Sequence, residues 1–404
     1  MSELDDLLQT AEFEQNPYPV YHELRERDPV YWSDLWGCWV LTRYDDVVST
    51  MQDFKRFSSK GRFTRVIEGE LPEPVLEKIA PLIRHYSTGL INVDPPDHTR
   101  MRALVHKAFS PRVLERLRSH IQEITDELLD EVQPRGEMEV IREFAYPLPV
   151  IVIAELMGVP QEDRDRLKGW SGRIIEFMAT PRPSAEVMLR SQEALLELRE
   201  YFRGIYDQRR KEPREDLIGN LVEVEEAGDK LTEEELLSTC VTILIGGHET
   251  TTNLISSGLY ALLQHPDALL RLKRNPSLIE TAVEEFLRYE GPFQRNRRVV
   301  MEDLDLRGKR IQKGQLVLQF VGAANRDPEE FPDPDRLDIE RQPNRHVAFG
   351  YGVHYCLGAA LSRIEAPIAI NTILNRMPDL KLATDAVTWN NAVFRGLEAL
   401  PVVF

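Results

Sequence analysis

The sequence predicts a mainly helical α+β fold in one large domain, residues 1–404, on three observations. Apolar residues recur at helical spacing through most of the chain beyond Pro96. Strand-like alternation is confined to short pieces, in the first third and again after Tyr289. No linker rich in Gly, Ser or Pro, no repeat and no low-complexity run divides the chain.

The elements follow in order. Val30 to Trp32 and Cys38 to Leu41 alternate about Trp36-Gly37 as a hairpin, and Asp45-Asp46 opens a short helix. Val113, Leu117, Ile121, Ile124 and Leu128 mark one face of a long helix that ends before Pro134-Arg135-Gly136. Further helices are expected over Pro147 to Met157, Ala185 to Arg210, Thr232 to His265 and Leu278 to Tyr289. A strand over Gln315 to Phe320, a Pro- and Asp-rich stretch over Asp327 to Pro343, a last helix from about Cys356 to Met377 and an extended Val402 to Phe404 complete the order. Pro367 lies inside that last helix and is expected to kink it.

Composition narrows the function. The chain is 42% hydrophobic and 29% charged, enough apolar material for a large core. A net charge of −17 repels phosphate backbones and argues against nucleic acid. An acidic start over Met1 to Gln15 and the lack of any membrane-length apolar run predict a cytoplasmic protein without a membrane anchor. Three scattered cysteines, Cys38, Cys240 and Cys356, exclude a disulfide framework and Cys-rich zinc or iron–sulfur sites.

One cysteine stands out by its surroundings, Phe349-Gly350-Tyr351-Gly352-Val353-His354-Tyr355-Cys356-Leu357-Gly358. Alternate glycines free the backbone to approach a flat ligand, and Leu357, Leu361, Ile364 and Ile368 form one face of the helix that follows. Amides at a helix start favour a thiolate, which can ligate a metal. A lone cysteine here is otherwise a small buried hydrophobe. His346, His354 and Cys356 are a second alternative, a zinc site without a fourth ligand. Neither alternative requires Gly350, Gly352 and Gly358 together.

This segment resembles the haem-binding signature of the cytochrome P450 family, with every fixed position filled, and further family motifs follow from about Asn16 to the end. The resemblance implies a triangular prism with a small β region and haem b between two long helices, Cys356 being the axial iron ligand. Phe349, Gly350, His354 and Gly358 then belong to the cofactor site. Asp94 to Arg102 is similar to the propionate-binding helix, which assigns His98 and Arg102 as clamps, joined by Arg298 and His354. Gly246-Gly247-His248-Glu249-Thr250 interrupts an otherwise apolar helix, and paired glycines with threonine hydroxyls are expected to open its hydrogen-bond ladder. It is similar to the family's oxygen-activating motif, which gives Thr250 and Glu249 the proton-delivery roles and Gly246 a place beside the haem. Glu285 and Arg288 resemble the Glu-x-x-Arg pair, with Arg336 as its third member.

The implied activity is oxygen insertion, by hydroxylation or epoxidation, into an apolar small molecule such as a macrolide, steroid, terpenoid or fatty acid. O2 would be the oxidant, with two electrons from a separate ferredoxin and ferredoxin reductase. A peroxide-driven or non-oxidative haem-thiolate enzyme, or a haem-binding sensor, is the alternative. Thr242, Ile243, Phe293, Gln294, Asn296 and Phe394 are expected to line the substrate pocket, and Arg295 is expected to be exposed. Between His98 and His120 the cations Arg100, Arg102, Lys107, Arg112, Arg116 and Arg118 face one acid, Glu115, a +5 patch in an acidic chain that suits an acidic redox partner.

Overall fold

A computed structural model describes residues 2–68, 73–106, 109, 111–180, 183–226, 231–384, 386–391 and 393–404. Helices account for most of them, and four small sheets lie to the side.

The N-terminal hairpin pairs Val30–Ser33 with Cys38–Leu41, turning at Gly37 with φ 61°. It joins the largest sheet, in which Cys38–Leu41 runs parallel to Leu316–Phe320 and Leu316–Phe320 antiparallel to Arg295–Val300. Phe57–Ser58 closes the far edge. In a second sheet the C-terminal strand Pro401–Val403 lies between Glu137–Glu139 and Lys381–Leu382.

The long helix Glu233–Gln264 is the axis of the molecule. Thr232 caps it: its hydroxyl accepts from the Glu235 amide at 3.2 Å while the Glu235 carboxylate accepts from the Thr232 amide at 2.8 Å. Its flanks are buried by Pro147–Met157, which is apolar nearly all round, and by Ile279–Tyr289 and Ala359–Arg376. Gly247 is required by this packing, since a Cβ there would lie 2.7 Å from the Ile153 side chain.

Two expectations change here. The long helix is continuous through Gly246, so its ladder is not opened; the Thr250 hydroxyl instead adds a bond to the Gly246 carbonyl at 2.9 Å. The last helix begins at Ala359 with Gly358 as N-cap, so Cys356 precedes it rather than starting it. Pro367 is accommodated inside Ala359–Arg376 without ending the helix. Among the described residues no helix is long and apolar enough to cross a membrane.

Candidate active site

The loop before Ala359–Arg376 takes its shape from glycine. Gly350 and Gly352 have φ of 73° and 71°, and a Cβ on Gly352 would sit 3.1 Å from the Met51 carbonyl. The Cys356 amide donates to the Phe349 carbonyl at 2.8 Å and closes the loop, while the Arg363 guanidinium covers the Phe349 ring at 4.5 Å. The Cys356 sulfur opens onto an internal cavity and accepts from the amides of Gly358 and Ala359. Burial nevertheless pushes the thiol up, outweighing those amides and Arg102. The helix start alone does not hold a thiolate; a ligated cation would. His346 is held by Glu284 at 3.0 Å, which removes it from a zinc set with Cys356.

The cavity encloses about 330 Å³, within the roughly 300–1,000 Å³ of an ordinary ligand pocket, and opens into a wider mouth. Thr242, Ile243, Gly246 and Thr250 line it from the long helix, Phe293, Asn296 and Phe394 from the other side. A Cβ on Gly246 or Gly358 would meet nothing within 4 Å, so both glycines leave space on the cavity walls.

One wall is cationic. His98 is buried with neither ring nitrogen partnered, and burial beside Arg102 pushes it down to about 4. His354 packs against it with ring centroids 4.2 Å apart, and its Nε2 pairs with the Ser59 hydroxyl at 3.0 Å. Arg298 is buried, and its guanidinium is pulled down to about 10 by desolvation. Orphaned imidazole nitrogens and buried guanidinium groups suit the carboxylates of a haem.

Not every expected residue reaches the cavity. Gln294 turns the other way: its side chain donates to the Gly291 carbonyl at 2.8 Å and accepts from Tyr21 at 3.1 Å, so it is scaffold. Arg295 is buried rather than exposed, with its guanidinium over the Trp36 ring at 5.4 Å. Glu249, one residue from Thr250 and so about 100° around the helix, does not line the cavity. Burial raises its carboxyl and the Lys168 ammonium draws it back; Tyr146 lies close enough to feel its charge. His248, in the same motif, bonds the Leu244 carbonyl and Ser171.

The buried pair is extended differently from expectation. Arg288 donates to both Glu285 oxygens at 2.8 Å, but the third side chain is Arg341, whose Nε lies 3.2 Å from Glu285 Oε2. Arg336 is exposed and contributes only its carbonyl, 3.2 Å from Arg288 Nη2. The exchange reflects chain direction, since the loop after Leu337 turns back over Glu285 and presents Asp338 and Arg341 to it.

Sequence reasoning also missed Arg62, buried in the cationic wall. It sits in an aperiodic loop, and no motif marks it.

A sulfur presented to a cavity between two helices, opposite a glycine-lined groove and beside a cationic wall, defines a haem-thiolate protein. The family model described as "Cytochrome P450" matches residues 6–378, and the chain belongs to that family. It is a cytochrome P450 monooxygenase, with haem b as cofactor and the triangular, mainly helical fold of the family. It is 42% identical to the biotin biosynthesis cytochrome P450 of Bacillus subtilis (strain 168), over 98% of each chain. To the polyketide biosynthesis cytochrome P450 PksS of the same organism it is 40% identical, over 97% of this chain and 96% of the relative. The crystal structure of P450BioI in complex with a hexadec-9Z-enoic acid-ligated acyl carrier protein superposes with a TM-score of 0.90 at 42% identity, covering 98% of this chain and all of that one.

Proposed function

We propose that the chain works as one haem domain and inserts an oxygen atom from O2 into an apolar small molecule. The observation that carries the reading is the shared cavity of Cys356 and Thr250, the one able to ligate iron, the other a hydroxyl on the facing wall. Cys356 is the axial ligand. His98, Arg102, Arg298 and His354 hold the propionates, and Gly246, Phe349, Gly350 and Gly358 shape the space around the ring. Bound haem supplies the reductive activation of oxygen and its transfer to substrate.

The protein's own part is to place protons and substrate. Burial raises the Glu249 carboxyl, so it holds a proton more firmly than an exposed carboxylate does. Thr250 donates to Gly246, which leaves its oxygen lone pairs toward the cavity. A proton passes from Glu249 to the Thr250 side of the helix by rotation of the carboxyl or through a water. Ile243, Phe293 and Phe394 provide apolar surface, while Thr242 and Asn296 add polar handles. The relatives named for polyketide and biotin biosynthesis, and the structure with a fatty acyl chain, support an extended, largely apolar substrate.

Electrons come from a separate ferredoxin and its reductase, docking on the His98–His120 segment. Lys107 and the Arg112 side chain lie outside the described residues. Arg100 pairs with Glu235, Arg118 with Glu115 at 3.3 Å, and Arg102 faces the cavity, so exposed Arg116 is the main structural support for this surface. The deciding experiment is reconstitution: substrate-dependent NADPH consumption with ferredoxin and reductase, and one product oxygen atom derived from labelled O2. Turnover that peroxide supports but O2 with ferredoxin and reductase does not sinks the O2-dependent reading. Arg112→Glu with Arg116→Glu should slow the ferredoxin-supported rate and spare peroxide-driven turnover; an unchanged ferredoxin rate defeats the docking surface.

A further inference from the structure

Of the five arginines that line the cavity, Arg62, Arg102 and Arg298 stand on its cationic wall with His98 and His354. Among the described residues none of these three arginines forms an ion pair. Arg62 is 8% exposed and is held only by neutral acceptors. Its Nε donates to Asn92 Oδ1 at 3.2 Å and its Nη1 to Asn296 Oδ1 at 2.9 Å, with the Phe63 ring 4.9 Å from the guanidinium carbon. The same Asn296 oxygen accepts from Arg298 Nη1 at 3.1 Å, so one amide dipole sits between two cations. Nη2 of Arg62 has no protein acceptor among the described residues and is not sealed off, which leaves it open to the cavity.

An amide oxygen carries a partial charge and cannot neutralise two buried guanidinium groups, which repel each other and depress Arg62 further. Asp94 attracts both, but its oxygens are taken by the Ser58 hydroxyl and the Ser59 amide. His98 stands on the same wall with both nitrogens unpartnered. This part of the cavity is built for more negative charge than the protein provides.

We infer that Arg62 is a carboxylate-binding residue, its Nη2 edge taking an acid group that enters this wall. That group is either a haem propionate or the carboxylate of a substrate, and a planar fork suits both. The inference rests on the cavity being the haem pocket. If the wild-type protein takes up no haem, that reading fails first and separately.

The test compares wild type with Arg62→Gln and Arg62→Lys in two assays. Haem transfer to apomyoglobin reports the propionate, and spectral titration with myristic acid against methyl myristate reports a substrate acid. If the partner is a propionate, Arg62→Gln loses haem at least tenfold faster, Arg62→Lys falls between, and the acid–ester preference is unchanged. If it is a substrate acid, haem loss is unchanged while the acid, not the ester, loses at least tenfold in affinity. Should Arg62→Gln fail to fold, Asn92→Asp decides, since it places a competing carboxylate against the Arg62 Nε and should move the same readouts. Unchanged haem loss together with an acid-over-ester preference that is absent, or is the same in Arg62→Gln as in wild type, overturns the inference.

Discussion

Glu285 and Arg288 meet one helical turn apart through two parallel 2.8 Å hydrogen bonds, and neither side chain has any solvent exposure. Around the pair, Glu285 accepts from the Asp338 amide at 2.8 Å and from Asn344 at 3.1 Å, while Arg288 Nη1 donates to the carbonyls of Asn325 and Pro334. The pair thereby fastens the irregular chain between Asn325 and Asn344 that leads into the cysteine loop. Glu285→Gln leaves two guanidinium groups buried without their acid and should cost about 3–5 kcal/mol, with poor haem incorporation. Urea unfolding and the haem-to-protein ratio measure both.

The same cluster separates Arg341 from Arg336. Arg341→Ala removes bonds to Glu285 and to the carbonyls of Pro332 and Asp333, and should cost about 1–3 kcal/mol. Arg336→Ala retains the carbonyl that matters and should stay within about 0.5 kcal/mol of wild type. Equal losses in the two variants would remove Arg341 from the cluster.

Thr250 and Glu249 should fail in different ways. Thr250→Ala loses the hydroxyl on the cavity wall, so reducing equivalents should be consumed with product falling and hydrogen peroxide rising, by roughly ten- to a hundredfold in product per electron. Glu249→Gln cannot supply a proton and should slow turnover itself, with a larger solvent isotope effect. Since burial raises the Glu249 carboxyl, the wild-type rate should carry a pH limb above the ordinary carboxylate range that Glu249→Gln abolishes. Product yield per NADPH and pH–rate profiles on both variants distinguish the roles.

Much of this arrangement was legible beforehand, because the family's chemistry is encoded locally. The Phe349 to Gly358 loop, the start of the long helix at Thr232 and the Pro147–Met157 helix depend on residues adjacent in sequence, and the structure places them where the pattern does. What escaped depends on distance. Arg62 joins Asn92 and Asn296 across 30 and 234 residues, which no local pattern reports. Gln294 and Asn296 look alike as candidates, yet Gln294 is claimed by Tyr21 and Gly291 while Asn296 faces the arginines. Arg341 replaced Arg336 because the return of the loop over Glu285 is a tertiary event.

Glu365 gives a prediction about stability alone. It lies in Ala359–Arg376, is 1% exposed, and neither carboxylate oxygen has a hydrogen-bond partner among the described residues. Desolvation without compensation pushes its carboxyl from 4.5 up to about 8. The folded chain therefore keeps a proton that the unfolded chain releases once pH exceeds about 4.5. Between that value and about 8 the folded state holds more protons, so this group makes stability fall as pH rises, by up to about 1.4 kcal/mol per pH unit. Above about 8 both states are ionised and the contribution is flat. Glu365→Gln removes the slope. Its stability advantage over wild type should be near zero at pH 4.5 and reach a few kcal/mol at pH 8.5. Urea unfolding of both proteins across that range tests this, and parallel curves would show that Glu365 finds a partner that keeps its charge.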